Sequence, residues 1–145
     1  MLYLGADHGG FNAKKELLVW LASKGLETAD CGATQLDPGD DYPEFAVAVA
    51  RHVGMGSEDR GILLCRSGVG MCMAANKVDG VRAVVGFDAQ TIIAARADED
   101  SNVLCLAADR LTLQEMQSYI ELFLSSPFSS EERHQRRLEK LAAIK

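Results

Sequence analysis

The sequence predicts an α/β fold, a Rossmann-like three-layer sandwich with a five-stranded parallel sheet and a C-terminal helix. Short apolar runs alternate with amphipathic stretches along the whole chain, and this alternation favours a sheet with helices on both faces. The apolar runs are apolar on both faces, as buried parallel strands are. Because 145 residues is close to the usual size of one domain, we expect residues 1–145 to form a single domain.

The elements follow one another with short connections. Five predicted strands are rich in Val, Leu and Ile: Leu2–Ala6, Leu26–Cys31, Gly61–Cys65, Val81–Gly86 and Val103–Ala107. Apolar residues at helical spacing predict the first two helices, around Phe11, Leu17, Leu18 and Leu21 and around Phe45, Val49 and Val53. Four further helices are predicted over Val69–Lys77, Ala89–Ala97, Leu113–Leu124 and Glu131–Ile144. Ser129 followed by Glu132 predicts a capping box for the last helix.

Composition argues against several classes of protein. The net charge of −6 disfavours nucleic acid as a partner. No apolar run approaches the length of about 18 residues that a membrane span needs, and the first residues lack the pattern of a signal peptide. We therefore expect a cytoplasmic protein. Its four cysteines show no Cys-x-x-Cys pair and no spacing suited to zinc, which predicts reduced thiols and no metal.

Positive charge is concentrated at the C-terminus of this acidic chain. The last 13 residues, RHQRRLEKLAAIK, contain five Lys or Arg and one Glu. This asymmetry indicates a local anion site, and the alternative is a basic helix face exposed to solvent.

Polar residues and glycines collect where the predicted strands end. In open α/β sheets, ligands bind outside the carboxyl ends of the strands. The first strand runs into Asp7-His8-Gly9-Gly10 and the third into Cys65-Arg66-Ser67-Gly68. The fourth strand precedes Asp88, and the fifth runs toward Arg110. We expect the site at this edge of the sheet.

The most informative of these segments is GILLCRSGVGMCMAANK. A buried strand delivers Cys65, and a Ser-Gly-x-Gly turn then opens into a helix, which predicts backbone N–H groups converging on one point. Such a turn can bind an anion or stabilise an oxyanion. The helix dipole and Arg66 both favour the thiolate of Cys65, which is therefore a candidate base or nucleophile. Packing in the core is the alternative for Cys65 and the preferred interpretation of the other three cysteines.

A dinucleotide-binding fingerprint is a competing interpretation of the same segment. Gly68-x-Gly70 follows a strand, and Asp88 comes 20 residues after Gly68. Met73 occupies the third glycine position, however, which makes close packing of the helix doubtful. No Gly-Lys-Ser/Thr sequence is present, so a P-loop is excluded.

Five motifs resemble the type B ribose-5-phosphate isomerase and galactose-6-phosphate isomerase family. They are GADHGGF at the start, DYPEFA at 41–46, CRSGVG at 65–70, AANK at 74–77 and RHQRR at 133–137, and their order and spacing agree over essentially the whole chain. The resemblance implies a Rossmann-like homodimer or homotetramer with active sites at the dimer interface. It implies no metal and no organic cofactor.

The reaction that this resemblance implies is aldose–ketose isomerisation of a phosphorylated sugar through a cis-enediolate. Cys65 would move the proton between C2 and C1, while Ser67 and the backbone from Gly68 to Gly70 would hold the enediolate oxygens. Some relatives use a Glu one turn later, but Met71 stands there in this chain. The remaining implied contacts are Asp7 and Tyr42 with sugar hydroxyls, and His8, Arg110, Arg133 and Arg137 with the phosphate, partly across the interface.

Two departures from the family pattern bear on the substrate. Arg66 stands where the family has Gly, and we expect its bulk to narrow the turn and to contact substrate. Asp98 and Glu99 stand where the family has a His-Asn pair whose His opens the furanose ring. Either Asp98 replaces that His, or the enzyme prefers a linear or shorter sugar phosphate, or a different epimer, over ribose 5-phosphate. A non-catalytic, sugar-phosphate-binding subunit that needs a paralogous partner is the second functional hypothesis.

Overall fold

The computed structural model describes residues 1–55 and 58–144 of the chain. Its strands are β1 (Leu2–Ala6), β2 (Thr28–Asp30), β3 (Arg60–Cys65), β4 (Ala83–Val85) and β5 (Val103–Ala107). Its helices are α1 (Phe11–Ser23), α2 (Tyr42–Met55), α3 (Val69–Ala75), α4 (Ala89–Glu99), α5 (Leu113–Ser125) and α6 (Glu132–Ala142). Within the described ranges, no helix has the length and apolarity needed to cross a membrane.

All strand pairs are parallel, and the strand order is β2-β1-β3-β5-β4. The predicted five-stranded parallel sheet is therefore confirmed. The chain places β2 on one side of β1 and β3 on the other, so the direction of winding changes between β1 and β3. The carboxyl ends of two strands at such a point leave a crevice between their outgoing loops, which is where α/β folds bind ligands.

Side chains of successive strand residues alternate between two cores, one on each face of the sheet. On one face, Ile62 and Leu64 pack with α1, α4 and α5. On the other face, Leu63 and Cys65 pack with α2 and α3. This confirms the three predicted layers. It also places the Cys65 thiol in the layer beneath α2 and α3 rather than beneath α1.

The edge strands are shorter than predicted. β2 was predicted over Leu26–Cys31 and β4 over Val81–Gly86, but each contains three residues. An edge strand pairs on one side only, so it extends only as far as its single neighbour supports it. Beyond β4, for example, the N–H of Arg82 bonds to the Oδ1 of Asn102 rather than to a strand backbone.

The capping box predicted for the last helix is wrong. Glu131 caps α6 without a side-chain hydrogen bond, and the Oγ of Ser129 instead lies 2.7 Å from the Nδ1 of His134. A complete capping box occurs one helix earlier, where Thr112 and Glu115 begin α5. Each of that pair bonds to the other's backbone N–H, which satisfies two donors at the helix start.

Candidate active site

Asp7 and Cys65 lie side by side at the edge where β1 and β3 end. The register pairs Ala6 with Leu64. Asp7, which directly follows β1, therefore lies opposite Cys65, the last residue of β3. The Oδ1 of Asp7 accepts hydrogen bonds from the N–H groups of Gly9 (2.9 Å) and Gly10 (3.2 Å). These bonds fix the carboxylate, which is 5% exposed, at the mouth of the crevice.

The thiol of Cys65 is held by the turn that follows it. The N–H of Gly68 donates to its Sγ at 3.1 Å, and the side chain is 5% exposed. Gly68 has a φ of +74°, and a Cβ there would lie 3.2 Å from the carbonyl carbon of Leu106, so both conformation and space favour glycine. The N–H of Val69 donates to the Oγ of Ser67 at 3.3 Å.

The ring of Tyr42 packs directly on Gly70. A Cβ at Gly70 would lie 2.8 Å from the Cζ of Tyr42, so only glycine permits this contact. Tyr42 is the first residue of α2 and is 40% exposed. The phenol therefore lies over the start of α3, beside the turn that holds Cys65.

His8 is held by Asp40, a residue that the sequence analysis did not select. The Oδ1 of Asp40 accepts the backbone N–H of His8 at 3.0 Å and lies 2.7 Å from its Nδ1. The hydrogen bond from Asp40 is the largest of the effects that together raise the pKa of His8 above its ordinary value. Asp40 adjoins the DYPEFA motif, but Asp37 and Asp41 lie close to it in sequence, and no pattern distinguishes the three.

Arg66 crosses the rim of the crevice rather than the turn at Gly68. Its Cγ lies where a Cβ of Gly9 would be, only 2.4 Å from that position, and its Nε donates to the Oδ2 of Asp109 at 3.1 Å. The carboxylate of Asp109 attracts the guanidinium away from the turn. The Arg66 side chain is 71% exposed, so this pair is screened by solvent and easily exchanged for another anion.

Ser67 and Arg110 line a cavity of about 300 Å³ next to the turn. Gly86 and Phe87, which follow β4, and Ala107, at the end of β5, form its other walls. The cavity opens at the same edge of the sheet as Cys65. Arg110 is therefore available to an anion bound near Ser67.

Four of the predicted site residues lie at the opposite end of the sheet, where the strands begin. Asp98 and Glu99 end α4 just before β5 begins, whereas Cys65 pairs with the last residue of β5. The length of β5, about 13 Å at 3.3 Å per residue, thus separates them. Arg133 and Arg137 lie on α6, which packs on α4, where the Nε2 of His134 is 3.7 Å from the Oδ1 of Asp98. Within one chain the two groups of residues do not meet.

A second thiol near the turn was not predicted from the sequence as a functional group. Cys72 is half-buried on α3, and its pKa is lowered to about 7, mainly by a hydrogen bond with Cys105. Cys105 is fully buried, and burial raises its pKa. All four cysteines are free thiols in the part of the chain that the structure describes. The prediction of core packing is thus confirmed for Cys105 and is partly right for Cys31 and Cys72, which pack against the core but are only half-buried.

Asp88 caps a helix in this structure. Its Oδ1 accepts the N–H of Thr91 at 2.7 Å, and this bond lowers the pKa of Asp88. The carboxylate is thus engaged at the start of α4. This removes the acidic residue on which the dinucleotide interpretation depended.

Asp7, His8 and Asp40 form the one group in the described ranges with the side chains and spacing to hold a metal ion. Their ligand-type atoms lie within 4.8 Å of one another. Existing hydrogen bonds already engage one oxygen of each carboxylate and the Nδ1 of His8. These contacts hold Asp40 and His8 to each other, so the arrangement of the three side chains is accounted for without a metal ion.

Comparison with known proteins gives a consistent result. The family model described as Ribose/Galactose Isomerase matches residues 2–141. A probable ribose-5-phosphate isomerase B of Mycoplasma genitalium is 40% identical over 141 residues, covering 97% of this chain and 92% of that protein. Ribose-5-phosphate isomerase B of Mycobacterium tuberculosis is 37% identical, covering 97% and 87%. The crystal structure of the Mycoplasma genitalium enzyme with bound ribulose-5-phosphate has a TM-score of 0.92, covering 97% of this chain and 93% of that one.

Proposed function

The chain belongs to the ribose/galactose isomerase family, and from this premise we propose how it interconverts a phosphorylated aldose and ketose of the ribose 5-phosphate/ribulose 5-phosphate type. One observation of the site carries the proposal. The Cys65 thiol, which accepts the Gly68 N–H, lies beside Asp7 at the point where the sheet changes its direction of winding. The family relationship favours an enzyme over a non-catalytic subunit. The relatives named as isomerases, which this chain matches over nearly their full length, favour the same conclusion.

In the proposed reaction, Cys65 acts as the base. Its thiolate removes the proton from C2 of the open-chain aldose, and the C2–H electron pair forms the C1–C2 double bond of an enediolate. The negative charge develops on the oxygen of C1, where the N–H groups of the turn from Ser67 to Gly70 stabilise it. Return of the proton to C1 and transfer of the O2 proton to O1 give the ketose. Asp7 and Tyr42 orient the sugar hydroxyls.

We propose that the phosphate is bound by residues of two chains. His8 and Arg110 lie at the edge with Cys65, whereas Arg133 and Arg137 lie at the opposite edge. A homodimer, alone or paired into a tetramer, brings the second group of one chain to the first group of its partner. Exposed apolar side chains near α3 favour an interface there: Val69 is 47% exposed, Met73 66% and Phe87 70%. Met73 is thus exposed rather than part of the core, unlike Met71.

We propose that Asp98 and Glu99 reach the site across the same interface. The carboxylate of Asp98 can transfer a proton to and from the ring oxygen of a furanose, which is general acid–base chemistry. The second candidate substrate is a four-carbon sugar carrying phosphate on C4, because it lacks the hydroxyl needed to close a furanose. The absence of a histidine at position 98 favours this alternative, because a substrate that cannot close a furanose needs no group to open one.

The decisive experiment is an isomerase assay of the purified chain alone across tetrose, pentose and hexose phosphates. We expect activity on at least one of them, retained after exhaustive chelation because no step of the proposed mechanism needs a metal. Activity that disappears on chelation and returns with a divalent cation would contradict the proposed mechanism. The reaction depends on a reduced thiol, so we further infer that the enzyme works in a reducing compartment such as the cytoplasm.

A further inference from the structure

The contact between Asp40 and His8 is more specific than a surface ion pair. One carboxylate oxygen meets both the backbone N–H and the ring of the same histidine, at 3.0 and 2.7 Å. The Asp40 side chain is only 10% exposed. Its other oxygen, Oδ2, is buried and has no hydrogen-bond partner among the described residues. A buried carboxylate with one unpaired oxygen depends strongly on its remaining partner, because desolvation of an unpaired charge is costly.

This geometry determines which nitrogen of the ring carries the proton. An ionised carboxylate only accepts hydrogen bonds, so the nitrogen at 2.7 Å, Nδ1, must be the donor. Nε2 is then the ring nitrogen available to a ligand. The His8 side chain is 32% exposed at the rim of the crevice, so a ligand can reach it.

We propose that Asp40 is a positioning residue that holds His8 in one orientation and in its cationic form, so that the Nε2–H of His8 donates to the substrate phosphate. This rests on the proposed function of His8 as a phosphate ligand. Asp40 itself does not contact the substrate. It acts by holding the ring in one orientation and by favouring the imidazolium, in which both ring nitrogens carry a proton.

The charges around His8 come from three loops. The hydrogen bond with Asp40 is the largest cause of the raised pKa of His8, and partial burial opposes it. The charge of Asp7 also raises this pKa and that of Arg66 lowers it, while Asp109 pairs with Arg66. Because the pKa is raised, His8 stays cationic to a higher pH than a free histidine. Loss of the Asp40 charge should therefore make phosphate binding fail at a lower pH.

The loop that presents Asp40 offers a matched control. The N–H of Asp40 donates to the carbonyl of Asp37 at 3.1 Å, and the N–H of Gly39 donates to the Oδ1 of Asp37 at 2.9 Å. An asparagine at position 37 retains this acceptor. Asp37→Asn therefore removes one negative charge from the same loop without removing the contact with His8.

The experiment compares Asp40→Asn and Asp37→Asn with the unsubstituted enzyme. Nitrogen-15 NMR reports the pKa and tautomer of His8, assigned with His8→Gln among the three histidines. We expect Asp40→Asn to lower the pKa of His8. We also expect it to raise KM about 3- to 10-fold near pH 7.5 but little near pH 5.5, where His8 is charged in both proteins. The kcat should change less than about twofold, because the proposed contact is made equally in the ground and transition states. Asp37→Asn should behave as the unsubstituted enzyme.

Equal His8 pKa values and KM profiles in the Asp40→Asn and unsubstituted proteins would overturn the proposal. If Asp40→Asn does not fold, the unsubstituted enzyme decides: a neutral ring protonated on Nδ1 supports the proposal, and one protonated on Nε2 overturns it. If no sugar phosphate is isomerised, the proposed function fails separately. The same NMR titrations with inorganic phosphate then test Asp40, and the His8 signals should respond less in Asp40→Asn.

Discussion

At the scale of single residues, two thiols near one turn differ in environment. Cys65 is almost fully buried and accepts a hydrogen bond from Gly68, whereas Cys72 is half-buried on α3 with its pKa lowered to about 7. The lowered pKa favours the thiolate form of Cys72, which is the form that alkylating reagents attack. An alkylating reagent has two plausible targets, and loss of activity alone does not identify the base.

Substitution of the proposed base should nearly abolish turnover. We expect Cys65→Ala to lower kcat at least about 10²-fold, the usual contribution of a general base. Steady-state kinetics with the preferred sugar phosphate measure this loss. Full activity in Cys65→Ala would exclude the assignment of Cys65.

The matched control is Cys72→Ser. It should keep nearly full activity, and iodoacetamide should still inactivate it, with protection by substrate. If Cys72→Ser instead resists inactivation, the reagent acts through Cys72 in the unsubstituted enzyme.

A second residue-scale prediction concerns Arg137, an exposed residue on α6. We expect Arg137→Ala to raise KM for the phosphorylated sugar about 10-fold or more, because a charge-assisted phosphate contact contributes about 1.5–3 kcal/mol. KM for the unphosphorylated sugar should not change. Arg136→Ala removes the same charge from the neighbouring position and is the control. Equal effects of both variants would mean that α6 acts only through its net charge.

At the scale of elements, two of the Ser/Thr-x-x-Glu patterns in this chain show what sequence can predict. Thr112 with Glu115 and Ser129 with Glu132 are equivalent as patterns, but only the first forms a capping box. Ser130 has a φ of +55°, and the Ser129 N–H bonds to the carbonyl of Ala97 on α4. Packing of the two helices, which no local pattern encodes, therefore decided the start of α6. The interior strands β1 and β5, by contrast, have the predicted bounds, because burial on both faces leaves a strong signal in the sequence.

The capping box should contribute measurably to stability. We expect Thr112→Ala to lower the free energy of unfolding by about 1 kcal/mol, measured by denaturant titration. Ser118→Ala, at an exposed position within α5, should not destabilise. A loss as large in Ser118→Ala would show that the cap is not the cause.

The stability effect of Glu115→Gln should depend on pH. The hydrogen bond from the Thr112 backbone lowers the pKa of Glu115. Its contribution is therefore present above the unfolded-state pKa and is lost as pH falls through the lower folded-state value. The difference between Glu115→Gln and the unsubstituted protein should accordingly disappear at acid pH.

The end of α4 gives the element-scale prediction about substrate. Asp100 has a φ of +44° and bonds to both Arg96 and Arg82, which fixes the residues just before it. If Asp98 opens a furanose ring, Asp98→Asn should reduce kcat/KM at least about 10²-fold for ribose 5-phosphate but little for erythrose 4-phosphate. A clear preference of the unsubstituted enzyme for the tetrose phosphate would support the alternative. Equal loss on both substrates would mean that Asp98 acts through its contact with His134.

At the scale of the whole molecule, the site residues form two groups at opposite edges of the sheet. The doubly wound pattern was enough to predict the edge where Asp7 and Cys65 meet, because parallel strands end together. It was not enough to place Asp98 or Arg137, since α4 runs antiparallel to the strands and α6 follows it to the far edge. The motif resemblance named these residues and implied a site shared between chains, and the fold shows which of them one chain does not bring to Cys65.

This separation predicts complementation between two defective chains. Cys65→Ala and Arg137→Ala should each be nearly inactive at low substrate concentration. Mixed and re-assembled in equal amounts, they should recover about a quarter of normal activity. Half of the dimers are then mixed, and each mixed dimer has one site with both residues intact. Unmixed samples treated in the same way are the controls. No recovery despite exchange of chains would place both residues in a site formed by a single chain.

The pairing of β1 with β3 also has a consequence for how the enzyme folds. Their register joins Leu2 to Arg60, so the chain must close a loop of nearly 60 residues before Asp7 meets Cys65. Closing a flexible loop of this length costs roughly 3–4 kcal/mol of chain entropy. Such non-local contacts are typical of slow folding. We expect activity to appear only after the helical signal has recovered, because the site needs both this pairing within each chain and the assembly of two chains.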